Sequence, residues 1–147
     1  MFQLTSPDFQ KNQRIPKKFT CHGQNQSPRL EISGVPEASQ SLALIMDDPD
    51  APKGNWLHWI MWNIPTDTKD LSSKDIPTGA TEGVNDFKEF GYGGPCPPNS
   101  IHQYRFFLYA LDKKTHLDKM ASRVELEMAM EGHIIASCEL NAYYGQS

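Results

Sequence analysis

The sequence predicts a mainly β protein built as a sandwich, and three observations carry that expectation. Three apolar segments have strand length and strand composition: "SLALIM" (41–46), "WLHWIMWNI" (56–64) and "QYRFFLYAL" (103–111). Each is bounded by turn-forming residues. The 11 prolines and 10 glycines are spread along the chain, so turn signals recur about every ten residues. There is no internal repeat and no low-complexity tract.

The first segment alternates and ends in "MDDPDAP" (46–52), so it reads as a strand that stops at a cluster of aspartates. The second is nearly continuously apolar and aromatic between Gly54 and Pro65, as expected of a central strand buried on both faces. The third is aromatic-rich and follows "GYGGPCPPNS" (91–100). That stretch concentrates glycine and proline too heavily for helix or strand and must be a shaped loop. Residues 65–83 read as a long irregular surface excursion. Ser122 and Glu125 have capping-box spacing, and Leu126, Met130 and Ile134 follow at i, i+4 and i+8. This predicts one amphipathic helix over about 123–136. The terminal "CELNAYYGQS" is short and aromatic.

The totals bound the function. A chain of 147 residues is expected to form a single domain, 1–147. A net charge of −4 without a Lys/Arg cluster argues against nucleic acid as a partner. No 18-residue apolar stretch exists, so no membrane insertion is expected. The N-terminus lacks an apolar signal-peptide core, which reads as cytoplasmic. Cys21, Cys96 and Cys138 are odd in number and widely spaced, so reduced thiols are expected, with neither a disulfide framework nor a structural zinc site.

Alternate residues of a strand share a face. Trp56, His58 and Ile60 should therefore point one way, as should His102, Tyr104 and Phe106, while Asp48 joins Met46 and Leu44. Taken singly, each polar residue has an ordinary reading: a core histidine, a surface histidine, an Asp-Pro turn, a packed tyrosine. If the strand ends meet, they form a small pocket of His, Asp and Tyr walled by Trp and Pro. His22, His116 and His133 have no supporting pattern and read as surface residues.

"DDPDAPKGNWLHW" and "GYGGPCPPNSIHQYRFFLYALD" resemble the phosphatidylethanolamine-binding protein family, which includes the Raf kinase inhibitor proteins. The resemblance is closest to short bacterial and archaeal members, and "LTSPDF", "EGVNDF" and "GHIIASCELNAYYG" extend it over nearly the whole chain. It implies an antiparallel Greek-key β-sandwich with peripheral helices, one near the C-terminus. It also implies a ligand-binding pocket for phosphate, phosphorylethanolamine headgroups or phosphorylated side chains. Carried over by position, that pocket comprises Asp48, Asp50, Pro52, Trp56, His58, Gly94, Pro95, His102, Tyr104 and Tyr144. The chain departs from the family's usual pattern at Gln103, where an arginine is customary, in "PPNSI", and in its terminal "NAYYGQS". Tyr144, rather than Tyr143, is matched to the family's terminal tyrosine.

The expected function is binding of a small phosphorylated or otherwise anionic ligand, with no cofactor and no bound metal. The two aspartates should accept hydrogen bonds from histidine and backbone N–H groups, while His58 and His102 donate toward the anion. A regulator docking a kinase or another protein partner is the second reading. The third is a weak hydrolase or metal-binding enzyme using the Asp/His group. Against catalysis stand the absence of a Ser or Cys nucleophile with an evident His partner and of a metal-binding motif. Monomer and homodimer both remain open.

Overall fold

The computed structural model describes residues 1–145. Two antiparallel sheets pack face to face. The smaller holds β1 (Gln3–Thr5), β2 (Leu30–Ser33) and β5 (Asp70–Leu71) in the order β1-β2-β5. The larger has five strands in the order β6-β4-β3-β7-β8. Its members are β3 (Ser41–Asp48), β4 (Trp56–Ile64), β6 (Thr81–Glu82), β7 (His102–Leu111) and β8 (Ile134–Tyr144). The link from β4 to β7 crosses the sandwich, giving β5 to the small sheet and β6 to the edge of the large one before passing to the far side of β3. The excursion at 65–83 therefore supplies two short edge strands rather than an unstructured loop.

The pattern of β3 explains its central place. All eight of its residues are buried. Leu42, Leu44 and Met46 join Leu4, Leu30, Ile32 and Leu71 in the core between the sheets. Ala43 and Ile45 face the other way, packing with Ile60, Trp62, Leu126 and Met130 beneath the single α-helix among the described residues, α1 (Arg123–Met130). The large sheet is thus covered on both faces, which is why its central strands read as continuous apolar runs.

Three sequence expectations are corrected. The Ser122/Glu125 capping box is present, but α1 stops at Met130 instead of running to 136. Gly132 adopts the left-handed conformation (φ +80°) that ends helices. Beyond it the chain pairs with β7, starting at Leu111↔Ile134, so the terminal segment is an 11-residue strand. Ile134, assigned by spacing to the buried helix face, is 46% exposed.

Secondly, Trp56, His58 and Ile60 do not share a face. In the register of β3 with β4, Met46 pairs with Trp59 and Asp47 with Leu57, which leaves His58 as the extra residue of a β-bulge. Ile60 consequently packs on the α1 side with Leu57 and Trp62. Thirdly, Cys21 and Cys96 are not reduced thiols: they form a disulfide with Cα atoms 5.4 Å apart, leaving Cys138 free. The thiol pattern therefore gives no support to a reducing compartment. Among the described residues, no helix is long and apolar enough to cross a membrane.

Candidate functional site

The antiparallel register brings the C-terminal end of β3 beside the N-terminal ends of β4 and β7. The strand ends that the sequence supplied with polar groups do meet. Consecutive aspartates at the end of β3 point to opposite faces and are satisfied separately. Asp47, fully buried, accepts from Arg105 Nε and Nη2 and from Arg123 Nη1, each at 2.8 Å. Asp48, on the sandwich face, accepts from His102 Nδ1 at 2.6 Å and from the backbone N–H of Asp50 at 2.8 Å. The repulsion expected of "DD" is thereby relieved by geometry and by ion pairing on each side of the sheet.

Asp50 serves backbone rather than a histidine: its carboxylate accepts the N–H of Gln103 at 2.9 Å, tying the turn after β3 to the start of β7. This is also how Gln103 contributes, through its main chain.

His58, re-aimed by the bulge, is buried, and its Nδ1 lies 2.6 Å from the carbonyl oxygen of Gly93. A carbonyl only accepts, so Nδ1 carries the proton and Nε2 is the lone-pair nitrogen of the neutral ring. Burial lowers the His58 pKa from its usual value, opposed by the Gly93 bond and by Asp48. His58 is therefore a neutral imidazole at pH 7 and does not donate there, contrary to the sequence expectation. On His102 the bond to Asp48 likewise places a proton on Nδ1 and leaves Nε2 available.

Between these groups opens a cavity of about 300 Å³. Its polar wall is Asp48, His58 and His102. Pro52, with Ala51 and Lys53, forms the turn side. Trp56 and Phe87 form an aromatic side, their rings edge-to-face at 5.5 Å, and Phe87 also meets His58 at 5.4 Å. Cys96, Pro97 and Pro98 close the remaining side. The indole Nε1 of Trp56 is buried without a hydrogen-bond partner.

Five of the ten expected site residues, Asp48, Pro52, Trp56, His58 and His102, line this cavity; Asp50, Gly94, Pro95, Tyr104 and Tyr144 do not. Tyr104 lies beneath it, edge-on to His58 at 5.3 Å and stacked on His102 at 6.4 Å. Burial, and then the Asp48 carboxylate, push its pKa up, so it is a neutral phenol. Gly94 and Pro95 pack against the 19–25 segment, with the Gly94 N–H on Asn25 Oδ1 at 2.8 Å and the Pro95 carbonyl on the Cys21 N–H at 3.1 Å. Tyr144 is paired with His102 in register, but its hydroxyl is 2.9 Å from His22 Nδ1. Tyr143, its neighbour, is 38% exposed.

Sequence reasoning missed Lys53 and Phe87. Lys53 directly follows Pro52, and Phe87 ends the "EGVNDF" segment, so both stood in quoted text without a periodicity to aim them. Among the described residues, the group with metal-ligand spacing is Cys21, His22 and Cys96, not the Asp/His wall.

The mainly β sandwich is a fold shared with known proteins. The family model described as phosphatidylethanolamine-binding protein matches residues 5–145, and the chain belongs to that family. A UPF0098 protein of Methanothermobacter thermautotrophicus is 45% identical, over 96% of this chain and 97% of its own. Another from Chlamydia muridarum is 41% identical, over 98% and 99%. The crystal structure of a phosphatidylethanolamine-binding protein homolog from Chlamydia trachomatis superposes with a TM-score of 0.93 at 40% identity, covering 99% of this chain and 98% of that one. Escherichia coli YbcL, described as a new member of the mammalian family, gives 0.91 at 34%, covering 99% of each chain.

Proposed function

We propose that the cavity binds a small phosphorylated or otherwise anionic molecule of headgroup size. The observation that carries this reading is the buried His102–Asp48 pair, with both side chains 5% exposed. Its carboxylate is occupied by the imidazole and by the Asp50 N–H, so it does not face a ligand unscreened. With Nδ1 engaged by Asp48, His102 Nε2 is the ring nitrogen left to meet the ligand. Lys53 brings a cation to the rim, and Trp56 Nε1 offers a buried donor with no competing partner.

Size and walls support the same reading. A volume near 300 Å³ sits at the lower end for small-molecule sites and suits a phosphate with a short substituent rather than a lipid with its acyl chains. The Trp56 and Phe87 rings fit an ammonium group by cation–π attraction, which favours a zwitterionic headgroup over bare phosphate.

Calorimetric titration with inorganic phosphate and with phosphorylethanolamine, at pH 6 and pH 8, tests this. Saturable binding of either ligand, lost in His102→Ala, is the expected result. No heat at millimolar concentrations of either ligand at both pH values would refute it.

A further inference from the structure

We infer that the disulfide conceals a metal site: once Cys21 and Cys96 are reduced, their two thiolates and His22 bind a thiophilic ion of the Zn²⁺ class. The ligand atoms of these three residues all lie within 4.8 Å of one another. A tetrahedral zinc site, with Zn–S about 2.3 Å and Zn–N about 2.0 Å, places its donors roughly 3.5–3.8 Å apart. The sulfurs must separate from bonding distance and the ring nitrogen close in, both small side-chain adjustments.

The two segments stay together without the covalent bond. The Cys21 N–H donates to the Pro95 carbonyl at 3.1 Å, the Gly94 N–H to Asn25 Oδ1 at 2.8 Å, and the Tyr92 hydroxyl to the Phe19 carbonyl at 2.6 Å. A Cβ at Gly94 would collide with the backbone carbonyl oxygen of Phe19 and lie 3.0 Å from Thr20 Cα, so the loops meet at a contact that only glycine permits. Reduction thus leaves the thiols facing each other.

His22 is also held in place by a neighbouring hydroxyl. Its Nδ1 is 2.9 Å from the Tyr144 hydroxyl, and Arg14 lies over the Tyr144 ring at 5.0 Å. With Nδ1–H donating to the hydroxyl oxygen, Nε2 keeps its lone pair for a metal, the arrangement in which outer hydrogen bonds fix histidine ligands. His22 and Cys96 are exposed, so an ion has access and the fourth position falls to water. Two thiolates and an imidazole are a donor set suited to Zn²⁺.

The chemistry balances with a dithiol reductant. Two electrons and two protons from the dithiol convert the Cys21–Cys96 bond into two thiols, and the reductant leaves as a cyclic disulfide. Zn²⁺ then displaces both thiol protons. Disulfide and metal are mutually exclusive, which makes the site a redox-gated one. It shares Cys96 with the cavity wall but does not depend on the cavity binding an anion.

The test reduces the full-length protein with a dithiol, removes the reductant anaerobically, and titrates Zn²⁺ against a chromophoric chelator, with Co²⁺ as spectroscopic probe. Reduced protein should bind one equivalent and show a thiolate-to-cobalt charge-transfer band, while oxidised protein shows neither. Cys21→Ser and Cys96→Ser should abolish the band, and His22→Ala should weaken binding at least tenfold with the band retained. Cys138→Ser should bind normally, because Cys138 belongs to β8 and burial raises its thiol pKa to about 11. Thermal melting confirms that each variant is folded. The inference fails if reduced protein binds no Zn²⁺, if Cys138→Ser removes the binding, or if the disulfide survives excess dithiol.

Discussion

Replacing Asp48 with asparagine isolates the role of one buried charge. The carboxylate accepts two N–H groups, from His102 Nδ1 at 2.6 Å and from the Asp50 backbone at 2.8 Å. Asparagine has one acceptor oxygen and one donor group. The Asp50 N–H is fixed by the backbone, so the oxygen stays with it and the amide N–H₂ turns to His102. The imidazole then shifts its proton to Nε2 and accepts at Nδ1. A charge-assisted bond worth about 1.5–3 kcal/mol becomes a neutral one worth about 0.5–1.5 kcal/mol, a loss of about 1–2 kcal/mol. At roughly 2–4 °C per kcal/mol for a chain of this size, the melting temperature falls by about 2–8 °C.

Asp48→Ala leaves the buried His102 donor unpaired, while the Asp50 N–H can turn to water, and should cost more, about 2–3 kcal/mol. Urea unfolding at pH 7 reads both variants. Phosphate titration supplies a second signature. In Asp48→Asn the neutral His102 ring carries its proton on Nε2 instead of Nδ1, so the nitrogen left for the ligand turns from acceptor to donor and the phosphate affinity should change. An Asn variant as stable as the parent, or one with an unchanged phosphate affinity, would refute this reasoning.

The ion cluster on the opposite face should rank its own substitutions. Asp47 is fully buried while Arg105 and Arg123 are 26% and 21% exposed, so Asp47→Ala should destabilise by about 2–4 kcal/mol and Arg123→Ala by about 1 kcal/mol or less, measured in urea. His58 makes stability pH-dependent with a defined sign. Its folded pKa is lowered, so below the unfolded value of about 6.5 the unfolded chain takes up a proton that the folded one resists. Its contribution is complete above that pH and is lost as the pH falls, at no more than about 1.4 kcal/mol per pH unit; a His58→Gln variant whose unfolding kept the full slope would contradict this. Removing the disulfide with Cys21→Ser and Cys96→Ser together frees a link spanning 75 residues, for which chain entropy gives about 4.5 kcal/mol as a ceiling, and denaturant unfolding should show a loss of about 2–4 kcal/mol.

Much of the fold was legible because β3, β4 and β7 carry their own punctuation: apolar runs of strand length closed by Asp-Pro, Gly or Pro. The end of the helix was not. Ile134 satisfies a helical spacing as well as a strand, and only the left-handed backbone at Gly132 decides between them. The strand ends that build the cavity were readable from period-two alternation at Asp48 and His102. Alternation also placed Trp56 and His58 at the cavity, but it misled at Ile60, since a bulge leaves no mark in the pattern of side chains. Alternation also gives direction but not depth, which is why Tyr104 points the right way yet lies under the cavity floor. Lys53 and Phe87 arrive through turns, and Cys21 meets Cys96 across 75 residues, distances over which spacing carries no information.

Selective ¹⁵N labelling of the five histidines, followed by NMR during a phosphorylethanolamine titration, tests the cavity directly. Binding there predicts that the Nε2 resonances of His58 and His102 shift together along one saturable curve, while those of His116 and His133 stay in place. Unmoved His58 and His102 at millimolar ligand, or equal shifts at all five rings, would contradict it.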